Sequence, residues 1–355
     1  MFERFFRKAA LDKIISKAAA SLSEILEEEL EKARLHNQTA GESNPPAKDK
    51  EIPNKPVFSN NQPVHIALNT PGTSVTVPTN PIIGGTTYTD EKGQTKYKGG
   101  KYNVMIWIRP GSLKNSKGDM RPVLTNSIVV VAEAGGMGDS ENTKAYGNAA
   151  FVNNALAKID SQMKARFGDV SLGKYGLAAF SGGAGAVRQI LNETSNKKPD
   201  AVIVLDSIHN LGKEVNPKSI EPFVQYAKLA AENPNSAKLF LAYSRITPSR
   251  KTDKGYENYV SSRQSAEYIA NQVGAKQTNV DKAYGNIKPY AVHSVGGVTL
   301  IDAYDPARAK DPTRKWDEAK KAYVSPLKGT LQEQHVEIAN AAPDIVSELA
   351  IDWNA

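Results

Sequence analysis

The stretch Gly173–Asn192, GKYGLAAFSGGAGAVRQILN, changes character at a single residue. A short apolar run, Leu177 to Phe180, stops at Ser181; small residues follow, and a helical pattern begins near Ala184. A serine on a sharp strand-to-helix turn tolerates little bulk two places to either side. Ala179 and Gly183 occupy those places, a relaxed form of G-x-S-x-G, and Gly182 and Gly185 keep the turn tight. Such a turn aims the hydroxyl out above the sheet, while the backbone N–H of Gly182 and the start of the next helix face any negative oxygen that forms there. The local sequence thus predicts a nucleophile at Ser181 with an oxyanion donor beside it.

Glycine-rich turns also cradle phosphates or merely join elements of a parallel sheet. The dinucleotide pattern fails on spacing: read from Gly183 and Gly185, its third small residue falls on Arg188. The chain also contains no G-x-x-x-x-G-K-[ST], so nucleotide binding is disfavoured.

With 355 residues, 40% hydrophobic and 23% charged, the chain has material for one large α/β domain and an appendage. The net charge of +7 hints at an anionic partner, but the basic residues are scattered among acids and no Lys/Arg run exceeds a pair. No nucleic-acid partner is expected. The absence of cysteine excludes disulfides, thiol catalysis and Cys-based zinc sites, and leaves the redox compartment open. No 18-residue apolar run occurs, and the first 20 residues lack the apolar core of a secretory signal, which makes cytoplasmic residence the expectation.

Residues 1–35 read as an amphipathic helix, with Leu11, Ile15, Ala18, Leu22, Ile25, Leu26 and Leu30 at three- and four-residue spacings. Its start is aromatic and basic (Phe2, Arg4, Phe5, Phe6, Arg7, Lys8), and its end is acidic (Glu24, Glu27, Glu28, Glu29, Glu31). Packing on its own domain, self-association and contact with a membrane surface are the readings it allows. Residues 36–61 are polar and broken by four prolines, a linker. Residues 1–60 hold 10 Lys or Arg and 10 Asp or Glu, so the basic excess belongs to the body, residues 62–355.

In that body short apolar runs alternate with helical patterns, which predicts a doubly wound, mostly parallel sheet flanked by helices. Strands are expected at Val64–Leu68, Ser74–Val77, Asn103–Ile108, Ser127–Ala132, Gly176–Phe180, Ala201–Leu205, Lys238–Tyr243 and Val298–Ala303. Helices are expected at Asn148–Phe167, Ala184–Glu193, Pro217–Glu232, Tyr256–Val273 and about Val336–Ala350.

A serine hydroxyl needs an imidazole to take its proton and a carboxylate to hold that imidazole. Five histidines are available: His36, His65, His209, His293 and His335. The base of such a doubly wound hydrolase is expected after the last strand and before the last helix, where His335 stands; His293 is the alternative if the last strand lies elsewhere. The acid is expected at the C-terminal end of a strand. Asp206 directly follows Ala-Val-Ile-Val-Leu, whereas the next strand ends in Ser244 and Arg245 and offers no carboxylate; Asp302 and Asp305 are fallbacks. A second oxyanion donor is expected from the loop Ala134-Gly-Gly-Met-Gly138, where Gly135 and Gly136 leave room and Met137 supplies the N–H. Glu133 and Asp139 lack a nearby histidine and hard-ion spacing, so neither a metal nor any other cofactor is expected.

The strand–Ser181–helix turn followed by Asp206 and then His335 resembles the α/β-hydrolase superfamily over roughly residues 62–352. Phe-Ser-Gly-Gly, Val-Leu-Asp-Ser-Ile-His and the helix opening Ser261-Ser-Arg-Gln-Ser-Ala-Glu267 look more narrowly like a sparsely described bacterial group of that superfamily. The chain departs from the pattern in having Ala179 at the first small position, and in an acid placed on the strand after the elbow helix, the less common position. The resemblance implies attack by Ser181 on the carbonyl of an ester or amide in a small or acyl-bearing substrate, an acyl-enzyme, and its hydrolysis with His335 as base. Residues 304–334, with Tyr304, Trp316 and Tyr323, read either as a lid over the substrate or as a solvated excursion. A binding scaffold of the same fold without catalysis is the competing reading.

Overall fold

A computed structural model describes residues 66–110, 120, 123–134, 139–193, 197–211, 214–245, 249–252, 255–278, 283–284, 287, 289–303, 315–317, 322–324 and 331–347. The expected N-terminal helix and linker, residues 1–61, lie outside the described residues.

The strands are β1 (Thr73–Thr76), β2 (Thr86–Thr89), β3 (Thr95–Pro110), β4 (Ser127–Ala134), β5 (Gly168–Phe180), β6 (Ala201–Leu205), β7 (Asn210–Leu211), β8 (Lys238–Tyr243), β9 (Ser249–Thr252), β10 (Gly255–Val260), β11 (Lys276–Thr278), β12 (Ala291–Val295), β13 (Val298–Asp302), β14 (Lys315–Asp317) and β15 (Ala322–Val324). The helices are α1 (Asp139–Tyr146), α2 (Ala149–Phe167), α3 (Ala184–Asn192), α4 (Pro217–Glu232), α5 (Ser262–Val273), α6 (Leu331–Asn340) and α7 (Ala342–Ser347). The main sheet runs β1-β4-β3-β5-β6-β8-β13-β12-β11, with β2 paired to β3. Its centre, β4 to β13, is parallel, and β1, β12, β11 and β2 are antiparallel additions.

The central strands carry continuous apolar runs, Val104–Ile108, Ile128–Ala132, Leu177–Phe180, Ala201–Leu205 and Leu239–Tyr243, because both faces are covered, as a parallel sheet requires. Successive side chains alternate between the faces. Val104, Ile106, Ile108, Leu177, Ala179, Val202, Val204, Leu239 and Leu241 meet α2, α3, α4 and α5 on one face. Met105, Trp107, Ala178, Phe180, Ile203, Leu205, Phe240 and Ala242 meet Ile338, Ala339, Ala342, Ile345 and Val346 of α6 and α7 on the other. The α/β architecture expected from the sequence is therefore present, in a strand order that puts Ser181 at the tip of a central strand. No helix among the described residues is long and apolar enough to cross a membrane.

Four local expectations are corrected. Ile66 and Leu68 are buried in the core but belong to irregular backbone; their alternation anchors a loop rather than a strand. The helix expected from Tyr256 begins at Ser262, because Tyr256, Tyr259 and Val260 pair as β10 with β9 and β7. Ser261 is its N-cap in a capping box with Gln264, and Gly274 ends it in the left-handed region at φ +67°. The last helix begins at Leu331, five residues early, and breaks at Ala341 into α6 and α7, so His335 lies inside a helix rather than ahead of it. The sheet also extends past β13 through β12 and β11, which the sequence reading did not anticipate.

Candidate functional site

Ser181 follows β5 and opens a single 3₁₀ turn, Ser181–Gly183, that runs straight into α3. Its φ is +50°, a left-handed conformation that costs a side-chain-bearing residue free energy and so marks a backbone constrained by its surroundings. The turn is closely packed two residues on. A Cβ on Gly183 would meet the carbonyl oxygen of Ile108 at 2.3 Å and the Cβ of Ala179 at 3.4 Å. The two small positions flanking the serine therefore face each other, and β3 presses on the turn from the side. Gly182 is half-buried within it. Gly136 and Met137, the other expected oxyanion donors, lie outside the described residues. Glu133, at the end of β4, is held by Arg109 at 2.6 Å. No group of three or more His, Asp or Glu among the described residues is arranged to hold a metal ion.

Asp206 comes directly after β6, also at positive φ (+45°), a conformation that aspartate tolerates better than most residues. Its N–H continues the ladder to the Ala242 carbonyl at 2.7 Å, while its carboxylate, 1% exposed, receives three hydrogen bonds. The backbone N–H of Ser244 donates to Oδ1 at 3.0 Å, the Ser244 hydroxyl donates to Oδ2 at short range, and Nδ1 of His335 lies 2.7 Å from Oδ2. Burial pushes the Asp206 carboxyl up, but the His335 hydrogen bond and charge, the His209 imidazole and the Ser244 hydroxyl outweigh it and hold it at about 2. An ionised carboxylate only accepts, so the His335 proton sits on Nδ1 and Nε2 is left as the basic nitrogen.

His335 reaches this place from α6, on the face of the sheet that carries Phe180. Its ring lies tilted against the Phe180 ring, centroids 4.6 Å apart, which brings it alongside the residue preceding Ser181. No hydrogen bond joins Ser181 to His335, and Nε2 has no partner among the described residues. Catalytic hydrogen bonds are commonly loose before substrate binds.

The alternatives fall elsewhere. His293 is on β12, four strands from β5 and so about 19 Å away at ordinary strand spacing. Asp302 is engaged by Arg245 at 2.9 Å, and Arg245 in turn stacks over Tyr290. Tyr304 and Asp305 lie outside the described residues; Trp316 and Tyr323 stand opposite each other in the β14–β15 hairpin.

Two neighbours of the acid, Ser244 and His209, carry no local sequence signal for a place beside it. His209, three residues beyond Asp206, lies with Nδ1 3.3 Å from the hydroxyl of Ser262, joining two of the motifs that carried the family resemblance. Burial is the main influence holding the His209 imidazole below its ordinary value, against the raising effect of the Asp206 charge.

No protein-family model matches the sequence, nor does any curated protein. Among solved structures, an acetyl xylan esterase from Aspergillus awamori is similar at 12% identity and a TM-score of 0.35, over 68% of this chain and 91% of that one. A cold-adapted esterase from an Arctic intertidal metagenomic library is similar at 13% identity and 0.24, over 57% and 80%. The siderophore hydrolase EstB from Aspergillus fumigatus is similar at 12% and 0.26, over 63% and 70%. Likenesses this distant carry no argument about chemistry, which rests on the residues themselves.

Proposed function

We propose that this protein is a serine hydrolase that cleaves an ester or amide through an acyl-enzyme. The observation that carries the reading is the 2.7 Å contact between His335 Nδ1 and the buried Asp206 carboxylate, at the end of the strand beside the one that presents Ser181 at φ +50°. In the proposed reaction Nε2 of His335 takes the Ser181 proton as Oγ bonds to the substrate carbonyl carbon. The carbonyl oxygen becomes an oxyanion facing the Gly182 N–H and the start of α3. Collapse expels the alcohol or amine, which receives that proton from His335. Water then attacks the acyl-enzyme with His335 as base again, releasing the acid and restoring Ser181. Asp206 stays ionised throughout and stabilises the imidazolium.

A fluorophosphonate probe tests this directly. The expected result is one label per chain, on Ser181, lost in Ser181→Ala and strongly slowed in His335→Ala. Labelling on another residue, or none on a folded protein, would overturn it. The second reading, a hydrolase-like binding scaffold without catalysis, draws on the missing Ser181–His335 hydrogen bond and predicts the unlabelled outcome.

A further inference from the structure

We propose that Ser244 is a positioning residue that fixes the Asp206 carboxylate for His335. The inference rests on the reading of Asp206 and His335 as acid and base, and deepens it. Ser244 grips both carboxylate oxygens at once, its N–H on Oδ1 at 3.0 Å and its hydroxyl on Oδ2, the oxygen that also faces His335. It is fully buried, and Asp206 is 1% exposed, so water does not compete for these bonds. Among the described residues, Ser244 and His335 are the carboxylate's hydrogen-bond donors.

The arrangement follows from strand register. Leu205 pairs with Ala242, so the residue after β6 lies against the end of β8, where Ser244 stands two positions on. The carboxylate is thereby tied to the next strand of the sheet rather than to its own loop. Two consequences follow. The plane of the carboxylate is set before His335 arrives, which orients the imidazole through Oδ2. The hydroxyl also takes part of the negative charge on Oδ2, making it a weaker proton acceptor, so the Nδ1 proton stays on the ring once Nε2 has taken the proton of Ser181.

The charged and titratable groups around Asp206 are few. His335 approaches from α6 and His209 from the loop after β6; Arg245, next to Ser244, turns to Asp302 on β13. Removing the Ser244 hydroxyl therefore alters the His335–Asp206 pair without freeing another charge to replace it.

The test compares wild type, Ser244→Ala and Ser244→Thr by the pH dependence of kcat/KM on a neutral p-nitrophenyl ester, and by NMR titration of the His335 ring in the full-length protein. In Ser244→Ala a more basic carboxylate raises the imidazole, so the acid limb and the ring titration both move up by about half a pH unit. Over the same change kcat falls about tenfold with KM unchanged. Ser244→Thr, which keeps the hydroxyl, returns both towards wild type. A ring titration in Ser244→Ala that coincides with wild type, in a protein with wild-type circular dichroism, overturns the assignment. So does a restored limb in a variant lacking any hydroxyl at this position. The NMR arm needs no substrate: if the folded protein takes no fluorophosphonate label but the ring titration moves as stated, the hydrolase reading fails and the positioning role stands.

Discussion

His335 and Asp206 are 129 positions apart in the chain, yet Nδ1 of one lies 2.7 Å from Oδ2 of the other, with the carboxylate sealed from water. A lone ionised carboxylate at such a depth is costly, and this one persists because every approach to it is a donor. Asp206→Asn keeps the shape but puts an NH₂ group among those donors and removes the charge that holds the ring's proton on Nδ1. The expected loss in kcat/KM is on the order of 10³ to 10⁴-fold with the fold retained, measured with a neutral p-nitrophenyl ester and circular dichroism. A loss of less than tenfold would mean that the contact is architectural.

Acid is expected to weaken the fold in two stages. His209 has its folded pKa depressed below 6.5, chiefly by burial, so below that pH the unfolded chain binds protons that the folded one resists. Its contribution is complete above pH 6.5 and is lost as the pH falls. Asp206, held at about 2 against an ordinary 3.8, contributes fully above pH 3.8 and loses that contribution as the pH falls towards 2. Urea unfolding at a series of pH values should show the first stage removed in His209→Gln and the second retained but smaller, because the His209 charge is one of the influences that hold Asp206 low. An identical pH slope in the variant would sink the assignment of the first stage to His209.

At Gly183 the obstacle is steric alone, since its φ of −87° suits any residue. The oxygen that a Cβ would strike belongs to the backbone of Ile108 on β3, next to the turn, and a parallel strand in the middle of the sheet has nowhere to move. Gly183→Ala should therefore cost about 2 kcal/mol of stability and slow fluorophosphonate labelling together, because the same shift displaces Ser181. Chemical denaturation and labelling rate are the two readouts; a variant with wild-type values in both would show that the turn has slack.

What was legible in the sequence was local. An apolar run ending in Ser181 among small residues specifies its own turn, and Asp206 is marked by following five fully buried residues without a break. Thr330-Leu-Gln-Glu333 spells a capping box, a sequence signal that would have started the last helix at its observed place. The rest depends on partners distant in the chain. Ser244 acquires its role only through the register between β6 and β8, which no local pattern encodes. Tyr256 to Val260 extend smoothly into the following helical periodicity, and become a strand because β7 and β9 are there to pair with them.

The strain at Ser181 sets two small energies against each other. A left-handed φ of +50° costs a residue with a Cβ about 1–2 kcal/mol, and glycine escapes that cost. Glycine in turn makes the unfolded chain more mobile, which costs about 0.5–1 kcal/mol. The backbone term is the larger, so Ser181→Gly should be more stable than Ser181→Ala by about 0.5–1 kcal/mol, both being inert towards the probe. Wild type should sit near the alanine variant, since Oγ makes no hydrogen bond among the described residues that its loss would forfeit. Parallel urea titrations of the three proteins decide the matter. If glycine is the least stable, the turn is not strained at the serine, and the positive φ reflects a backbone the sequence adopts without cost.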